Sequence, residues 1–171
     1  FRSLRTNLQF MLKENEKVIA FTSSISGEGK TFAAANLAVS FALLGRKVIL
    51  LGLDIRKPRL AELFELDDHQ HGITNLLIQS NPSVTDIQKQ ILSSGVNNHL
   101  DLLMAGPTPP NPTELLARNS LDIIFEQLRM MYDYIIIDTA PVGLVTDTLQ
   151  IARVADATVV MTRADYTAKE S

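Results

Sequence analysis

Residues 24–31 read Ser-Ile-Ser-Gly-Glu-Gly-Lys-Thr, a composition that suits a phosphate-binding loop. Small residues let the backbone turn so that several N–H groups point at one anion. Lys30 can then reach the β- and γ-phosphates of a nucleotide, and the Thr31 hydroxyl can hold a magnesium ion. The general pattern begins with Gly where this chain has Ser24, and a chance Gly-rich turn before a helix is the alternative. The apolar run at 18–21 and the helix-forming stretch after the loop favour nucleotide binding.

Two aspartates follow apolar strands and provide carboxylates near this loop. Asp54 comes after the run 48–53, and Asp138 closes the strand that contains Ile135-Ile136-Ile137. Ligands of α/β sheets bind at the carboxyl ends of the strands, so we expect both carboxylates to face the loop. A single strand-end Asp often caps a loop or helix. Two of them beside a phosphate loop favour a magnesium site, because this ion prefers hard oxygen ligands.

Two other charged clusters leave several interpretations open. Arg56, Lys57 and Arg59 directly follow Asp54. They could neutralise a transferring phosphoryl group, bind an acidic partner or face water, and for a single exposed charge the last is commonest. The run 67–71, Asp-Asp-His-Gln-His, could suggest a metal cluster, but a polar surface loop explains it better.

The elements that must position these residues alternate between helix and strand. The hydrophobic pattern predicts helices at 2–13, 31–44, about 60–65, 73–79, 120–131 and 145–154, and strands at 17–22, 47–53, 100–104, 134–138 and 157–162. Continuous apolar strands are typical of parallel sheets that are buried on both faces. The fold class is therefore α/β, with a mainly parallel sheet flanked by helices in a P-loop nucleotide-binding fold.

Two stretches between these elements have their own signals. Residues 80–98 are polar and weakly patterned. Four prolines between 107 and 112 predict an extended loop, since each fixes φ and lacks an N–H donor. The loop leads into a helix start, with Asn111 as N-cap, Pro112 in the first helical position and Glu114 in a capping box.

The composition bounds the class of protein. A chain of 171 residues with 46% hydrophobic residues fits one globular domain, and we expect 1–171 to be a single P-loop domain cut from a longer chain. The net charge of −3 gives no bias toward nucleic acid or an anionic membrane. The lack of cysteine excludes disulfides, thiol catalysis and Cys-based zinc sites, and suits a cytoplasmic protein. No apolar run approaches the roughly 20 residues that span a bilayer.

Several motifs together resemble the cytoplasmic kinase domain of the bacterial tyrosine kinases that regulate export of capsular and exopolysaccharides. Residues 22–31 are similar to the family's Walker A motif, 50–56 to its Walker A′ motif and 135–141 to its Walker B motif. The Pro-rich run 106–116 is the strongest discriminator, because other P-loop proteins lack it. These matches extend over nearly the whole chain.

The chain also departs from the family pattern. The first Asp of Walker A′ is Gly52 here, so Asp54 would carry more of the work. The family's N-terminal oligomerisation motif keeps Arg2 and Arg5, but its Glu would precede Phe1.

Tyrosines mark a further departure, because the family's C-terminal tyrosine cluster is missing. Tyr132, Tyr134 and Tyr166 are scattered instead. The first two flank a strand, where we expect them to pack rather than accept phosphate.

The resemblance implies ATP-dependent phosphorylation of tyrosine, with Lys30, Asp54 and Asp138 as catalytic residues. Asp54 is also the expected acceptor of the phenol proton. The residues expected to contact the nucleotide are Ser26, Gly27, Glu28, Gly29, Lys30, Thr31, Phe32 and Arg163. Those expected to contact magnesium are Thr31, Asp54 and Asp138.

The resemblance also implies partners and a location. Subunits would associate into a ring, partly through Arg2 and Arg5, and the tyrosine-rich tail of a neighbouring subunit would be the substrate. A membrane activator, fused to the same chain or separate, would place the domain at the cytoplasmic face of the bacterial inner membrane. Nucleic acid is not an expected partner.

Two rival interpretations remain. Related P-loop ATPases of cell division and DNA partition act as nucleotide-switched binding proteins, and they commonly carry an additional Lys early in the loop. The stretch 23–26 has no lysine, which argues against this class. The other rival is a P-loop domain that has lost catalysis, an interpretation that Gly52 keeps open.

Overall fold

A computed structural model of the chain describes residues 2–23, 28–55, 59–140 and 145–161. Its helices are α1 (Arg2–Met11), α2 (Glu28–Leu43), α3 (Leu60–Leu63), α4 (Thr74–Leu77), α5 (Val84–Gln90), α6 (Pro112–Leu116), α7 (Asn119–Met131) and α8 (Val145–Ala152). Its strands are β1 (Val18–Ser23), β2 (Val48–Gly52), β3 (Leu92–Ser93), β4 (Leu100–Leu103), β5 (Tyr134–Asp138) and β6 (Ala157–Met161). The residues discussed above that lie outside the described ranges are Phe1, Ser24, Ser26, Gly27, Arg56, Lys57, Pro141, Arg163 and Tyr166. Among the helices described, none combines the length and apolar character needed to cross a bilayer.

The described strands form one sheet in the order β3-β4-β2-β5-β1-β6. The neighbours from β4 to β6 pair in parallel, and only the short β3 runs antiparallel to β4. Parallel strands of one sheet need crossover connections, usually helical, and α2 provides the one from β1 to β2, between which β5 lies in the sheet. The prediction of an α/β fold with a mainly parallel sheet and flanking helices is confirmed.

Side chains along the central strands alternate between two hydrophobic layers. In β1, Val18 and Ala20 pack into a layer that contains residues from α4 to α8. Ile19 and Phe21 point to the opposite layer, which α1 and α2 cover. Since both faces of the sheet are covered, the central strands read as uninterrupted apolar sequence.

The helix after the phosphate loop begins earlier than the sequence pattern predicts. It starts at Glu28 rather than at residue 31, so Lys30 and Thr31 lie in its first turn. The N–H groups of a first turn have no partner within the helix, and they favour an anion. The helix is followed by Gly45, whose φ of +81° suits the predicted C-cap.

The weakly patterned stretch 80–98 contains a helix that the hydrophobic periodicity did not reveal. It is α5, which opens with a capping box: Ser83 Oγ accepts the Asp86 N–H at 3.1 Å, and Asp86 Oδ2 accepts the Ser83 N–H at 3.0 Å. In this short helix Ile87 is the buried residue, which explains why the hydrophobic period is faint.

The predicted capping box at the start of α6 is wrong. Asn111 makes no side-chain cap, although Pro112 does occupy the first turn as expected. The Asn111 side chain instead donates to the Glu114 carboxylate at 3.1 Å. The two side chains that would have capped backbone N–H groups therefore pair with each other.

The first helix, α1, lies against α2 in the same chain. Leu8 is buried between them, and Arg5 Nη1 donates to the hydroxyl and the carbonyl of Ser40 at 2.9 and 3.2 Å. Arg2 remains exposed. The predicted role of both arginines in self-association stays a prediction.

A polar cluster lies at the amino ends of β1 and β6. We name it the Asp156 clasp and define it by Lys17, Val18, Arg129 and Asp156. The carboxylate accepts the N–H groups of Lys17 and Val18 at 2.7 and 2.9 Å. It also pairs with both terminal nitrogens of Arg129, at 2.9 and 3.2 Å. Burial alone would raise the pKa of Asp156, but these hydrogen bonds outweigh it and lower the pKa.

Candidate active site

The strand pairing brings the phosphate loop and both predicted aspartates to one edge of the sheet. Asp138 ends β5, directly between Phe21 of β1 and Gly52 of β2. Backbone hydrogen bonds continue past the strand ends: Leu53 donates to the Asp138 carbonyl at 2.8 Å, and Thr139 donates to the Phe21 carbonyl at 3.0 Å. The parallel sheet therefore aligns the exits from β1, β2 and β5.

Three predicted site residues contact one another at this edge. Lys30 Nζ donates to Asp138 Oδ1. The Thr31 hydroxyl donates to the other carboxylate oxygen, Asp138 Oδ2, at 2.8 Å. All three side chains are buried, with Asp138 only 1% exposed. The first turn of α2 and the end of β5 are thus joined through two hydrogen bonds to one carboxylate.

The groups around Asp138 shift the pKa of its carboxyl group in opposite directions. Burial raises the pKa of Asp138, and the nearby Asp54 carboxylate raises it further. The ammonium group of Lys30 and the hydrogen bond from Thr31 act in the opposite direction, and the pKa remains above its usual range. A further positive charge at this position would therefore be stabilising, because burial and a second carboxylate both oppose ionisation of Asp138.

Threonines fix the backbone that follows β5. The Thr139 hydroxyl donates to the Phe21 carbonyl at 2.7 Å, and the Thr22 hydroxyl donates to the Ala140 carbonyl at 2.9 Å. Both hydroxyls are buried and link β1 to the segment after Asp138. These bonds hold the carboxylate rigidly relative to the strand that leads into the phosphate loop.

A cavity of about 360 Å³ opens beside the two aspartates, and we name it the Asp54 cavity. One side of it is formed by Gly52, Asp54 and Asp138, and another by the exit from β4. The remaining lining residues come from α3, its flanks and the loop after it: Arg59, Leu60, Ala61, Glu62, Asp68 and His69. A molecule in this cavity would therefore meet two carboxylates on one wall and Arg59 nearby.

Gly52 leaves space in the wall of this cavity. A Cβ at this position would lie 3.3 Å from Leu60 Cδ1 and 3.4 Å from the Ala105 nitrogen. These distances are tight, but the nearer atom belongs to a flexible side chain. The position can therefore hold a side chain if Leu60 shifts slightly.

The predicted site residues do not all occupy the same place. Lys30, Thr31, Asp54 and Asp138 converge at the sheet edge. The predicted nucleotide contacts Gly29 and Phe32 instead line a neighbouring shallow cavity together with Thr31, Arg59, Glu62 and Leu63. Glu28 begins α2, and Ser26, Gly27 and Arg163 lie outside the described residues.

Sequence reasoning missed part of the cavity wall. Leu60, Met104 and Ala105 face the same space as the aspartates, although their apolar character gave no chemical signal. Their position could have been found, because the strand at 100–104 was predicted and its carboxyl end must meet those of β2 and β5. Among the tyrosines, the prediction of packing is confirmed. The buried Tyr132 donates to Asp101 at 2.7 Å, and Tyr134 stacks on Phe41 with ring centroids 3.9 Å apart.

The donor set fits a phosphate group and a divalent cation. A threonine hydroxyl and two carboxylates are the hard oxygen ligands that magnesium prefers, and they lie beside a buried lysine. The first-turn N–H groups of α2 are available for phosphate oxygens. A P-loop fold with these residues binds a nucleotide together with a divalent metal ion.

Comparisons with known proteins agree with this geometry. The sequence matches the family model described as an AAA domain over residues 16–171. It is 36% identical over 171 residues to the tyrosine-protein kinase YwqD of Bacillus subtilis, covering 99% of this chain and 70% of that protein. It is 39% identical over 164 residues to the tyrosine-protein kinase CpsD of Streptococcus agalactiae, covering 96% of this chain and 69% of that protein. The chain spans 65 to 70% of the length of relatives of this kind.

The solved structures that are similar to this chain fall into two groups. The kinase domain of the Escherichia coli tyrosine kinase ETK superposes with a TM-score of 0.85 at 29% identity, covering 94% of this chain and 61% of that one. The septum site-determining protein MinD of Pyrococcus horikoshii, solved with Mg-ADP, gives a TM-score of 0.68 at 23% identity, covering 86% and 58%. The second likeness shows a shared fold alone. The chain belongs to the AAA-domain family of P-loop proteins and, within it, to the bacterial tyrosine kinases.

Proposed function

We propose that this chain is the catalytic domain of an ATP-dependent protein-tyrosine kinase. The observation that carries the proposal is the contact of Lys30 and Thr31 with Asp138 beside a cavity that Asp54 lines. Asp138 links the two parts, since it contacts Lys30 and Thr31 and, together with Asp54, lines a cavity of about 360 Å³. The family membership supports tyrosine as the acceptor. Residues 1–171 would form a single domain within a longer protein.

The site residues have distinct roles in this proposal. Backbone N–H groups of 26–31 bind the phosphates of ATP, and Lys30 stabilises negative charge as the γ-phosphoryl group leaves. Thr31, Asp138 and Asp54 hold magnesium, directly or through water. When bound, this ion supplies positive charge that offsets the charge on the phosphates. Gly29, Phe32 and Arg163 complete the proposed nucleotide contacts.

The Asp54 cavity receives the acceptor phenol in this proposal. A tyrosine hydroxyl has a pKa near 10, so it reacts poorly unless a carboxylate orients it and accepts its proton. The position of Asp54 in the cavity wall together with Asp138 supports this role. Arg59 in the same lining can neutralise charge on the phosphoryl group.

The family membership supports a proposal for the partners and the location. Tyrosines in the tail of a neighbouring subunit are the proposed substrate, within a ring built partly through Arg2 and Arg5 of α1. A membrane activator, fused or separate, would hold the domain at the cytoplasmic face of the inner membrane. The proposed output is regulation of capsular or exopolysaccharide synthesis and export.

Substitution of Lys30 by Met in the full-length protein tests the proposal. Loss of the ammonium group should reduce phosphotyrosine formation at least about 100-fold, since it removes a charge that stabilises the transition state. The fold should persist, because burial already raises the pKa of Asp138 and the unpaired carboxyl group can take up a proton. The measurement is transfer of labelled phosphate from ATP, and Lys89→Met on α5 is the matched control.

The products of the same assay separate the alternatives. Label on tyrosine supports the kinase. Free phosphate without labelled protein would instead indicate a nucleotide-switched ATPase, and neither product would indicate an inert domain. Full activity in Lys30→Met would remove the case for this site.

A further inference from the structure

The start of α4 is hydrogen-bonded to the chain that leaves β4. The N–H groups of Ile73 and Thr74 donate to the carbonyls of Met104 and Ala105 at 2.8 and 3.1 Å. The Thr74 hydroxyl donates to the carbonyl of Pro107 at 3.0 Å. These three hydrogen bonds fix the direction in which the chain leaves the sheet. We name this set of contacts the α4 clamp.

Two glycines allow the α4 clamp to form at backbone distance. A Cβ on Gly72 would lie 2.1 Å from the Gly106 nitrogen, and a Cβ on Gly106 would lie 2.7 Å from Thr74 Oγ1. Gly106 also has a φ of +84°, which residues with side chains rarely adopt. The two segments therefore touch without intervening side chains, and a small displacement of one is passed directly to the other.

The clamp is itself held from behind by α5. Gln90 Oε1 accepts the Gly72 N–H at 2.9 Å and the Asn75 side-chain amide at 3.0 Å. Thr74 is only 4% exposed, so water competes little with its hydroxyl for the Pro107 carbonyl. The hydroxyl is a contact that one conservative substitution can remove while the backbone contacts stay.

The clamped residues form one wall of the Asp54 cavity. This wall consists of Met104, Ala105, Gly106, Pro107 and Thr108, and it follows β4, the sheet neighbour of the strand that leads to Asp54. Thr74 does not line the cavity itself. Its hydroxyl acts on the cavity through the Pro107 carbonyl, whereas the phosphate-binding side chains lie on α2 and β5.

We infer that Thr74 is a positioning residue that fixes the wall of the Asp54 cavity formed by residues 104–108. It thereby controls binding of the substrate that receives the phosphoryl group rather than binding of ATP. The inference rests on the proposed function of this cavity. It predicts a separation between two Michaelis constants, because the wall that the clamp holds and the phosphate site belong to different elements.

The test compares Thr74→Val with Thr74→Ser in the full-length protein. Valine keeps the branched shape and loses the hydroxyl, while serine keeps the hydroxyl. With a synthetic Glu–Tyr copolymer as acceptor, the KM for acceptor should rise about fivefold to tenfold in Thr74→Val, as expected for one lost hydrogen bond. The KM for ATP should stay within about twofold, and Thr74→Ser should restore the acceptor KM. Thr158→Val, at an exposed threonine of β6, is the matched control.

Two kinetic results would overturn the inference. One is an equal rise of both KM values in Thr74→Val. The other is a Thr74→Ser variant that behaves like Thr74→Val, since the hydroxyl would then not be the responsible group.

Hydrogen exchange tests the clamp without any catalysis. The amides of Ala105, Gly106 and Thr108 should exchange about fivefold faster in Thr74→Val than in wild type or Thr74→Ser. Unchanged exchange in Thr74→Val would contradict the inference, even if the wild-type protein is an active kinase. If exchange is faster in Thr74→Val but wild type never forms phosphotyrosine, the clamp stands and the proposed function alone fails. If Thr74→Val does not fold, Gln90→Ala should show the same faster exchange and raised acceptor KM, and normal values there would refute the inference.

Discussion

The two ends of the sheet each hold a carboxylate with a basic partner, and the environments of the two carboxylates differ. In the Asp156 clasp the carboxylate accepts two backbone N–H groups and both terminal nitrogens of Arg129. At the other end, Asp138 accepts from Lys30 and Thr31 and lies near a second carboxylate, Asp54.

The difference appears in the direction of the pKa change. Hydrogen bonds lower the pKa of Asp156, while burial and Asp54 raise that of Asp138. A carboxylate that is saturated with donors stabilises the fold and has little left to offer a ligand. A buried carboxylate with too little compensation gains from an added cation, which is the property that a metal and nucleotide site needs.

Substitution of Asp138 by Asn should show the largest effect at the site. Phosphoryl transfer should fall at least about 100-fold, because one of the two carboxylates that attract a cation is lost. The free energy of unfolding should also fall, by about 3 kcal/mol, because the buried ammonium group of Lys30 loses its charged partner. The measurements are labelled phosphate transfer per folded molecule and urea denaturation. Transfer per folded molecule within about tenfold of wild type would contradict the role of Asp138 at the site.

The same substitution at Asp156 should destabilise the fold and leave phosphoryl transfer intact. The amide retains one acceptor oxygen but loses the charge and a second acceptor, so the free energy of unfolding should fall by about 2 kcal/mol. Phosphoryl transfer per folded molecule should remain unchanged, because the clasp lies at the far end of the strands. Urea denaturation and the labelled-phosphate assay measure both properties. A specific loss of activity in the folded variant would break the comparison.

Substitution of Gly52 by Asp would sharpen the contrast between the Asp138 and Asp156 ends of the sheet, because it adds a carboxylate beside Asp54 and Asp138. The tight but adjustable contact with Leu60 admits the side chain, and the new carboxylate would border the Asp54 cavity. We expect phosphoryl transfer to rise about tenfold if a second proton acceptor is gained. Gly52→Asn is the control with the same shape and no charge, and equal activity of the two variants would exclude a role for the charge.

The smallest expected effect is a pH dependence of the clasp. The folded pKa of Asp156 lies below its usual value of 3.8, so the stabilisation is complete above that value and is lost as the pH falls through the folded pKa. The difference in unfolding free energy between wild type and Asp156→Asn should therefore be constant above about pH 5 and shrink below pH 3.8. Urea denaturation at several pH values measures it. A difference that grew in acid would contradict the assigned direction.

The sequence alone determined the fold class and the chemical residues at the site edge. Continuous apolar runs at β1, β2 and β5 can be buried on both faces only in a parallel sheet with helices on each side. Loops at the carboxyl ends of such strands must share one edge, so Lys30, Asp54 and Asp138 could be brought together without coordinates. These signals are local or follow from topology, which is why residue types and spacing suffice.

Tertiary structure decided what the local pattern left open. The hydrophobic period is faint in α5, because Ile87 is its buried residue. The capping box of Ser83 and Asp86 stabilises the start of this helix. The contact of Gly72 with Gly106 joins segments 34 residues apart, and no local preference encodes such an approach. The different environments of Asp138 and Asp156 likewise depend on which distant donors surround each carboxylate. Burial and long-range hydrogen bonding exist only once the chain is packed, so an Asp in the sequence does not show which role it takes.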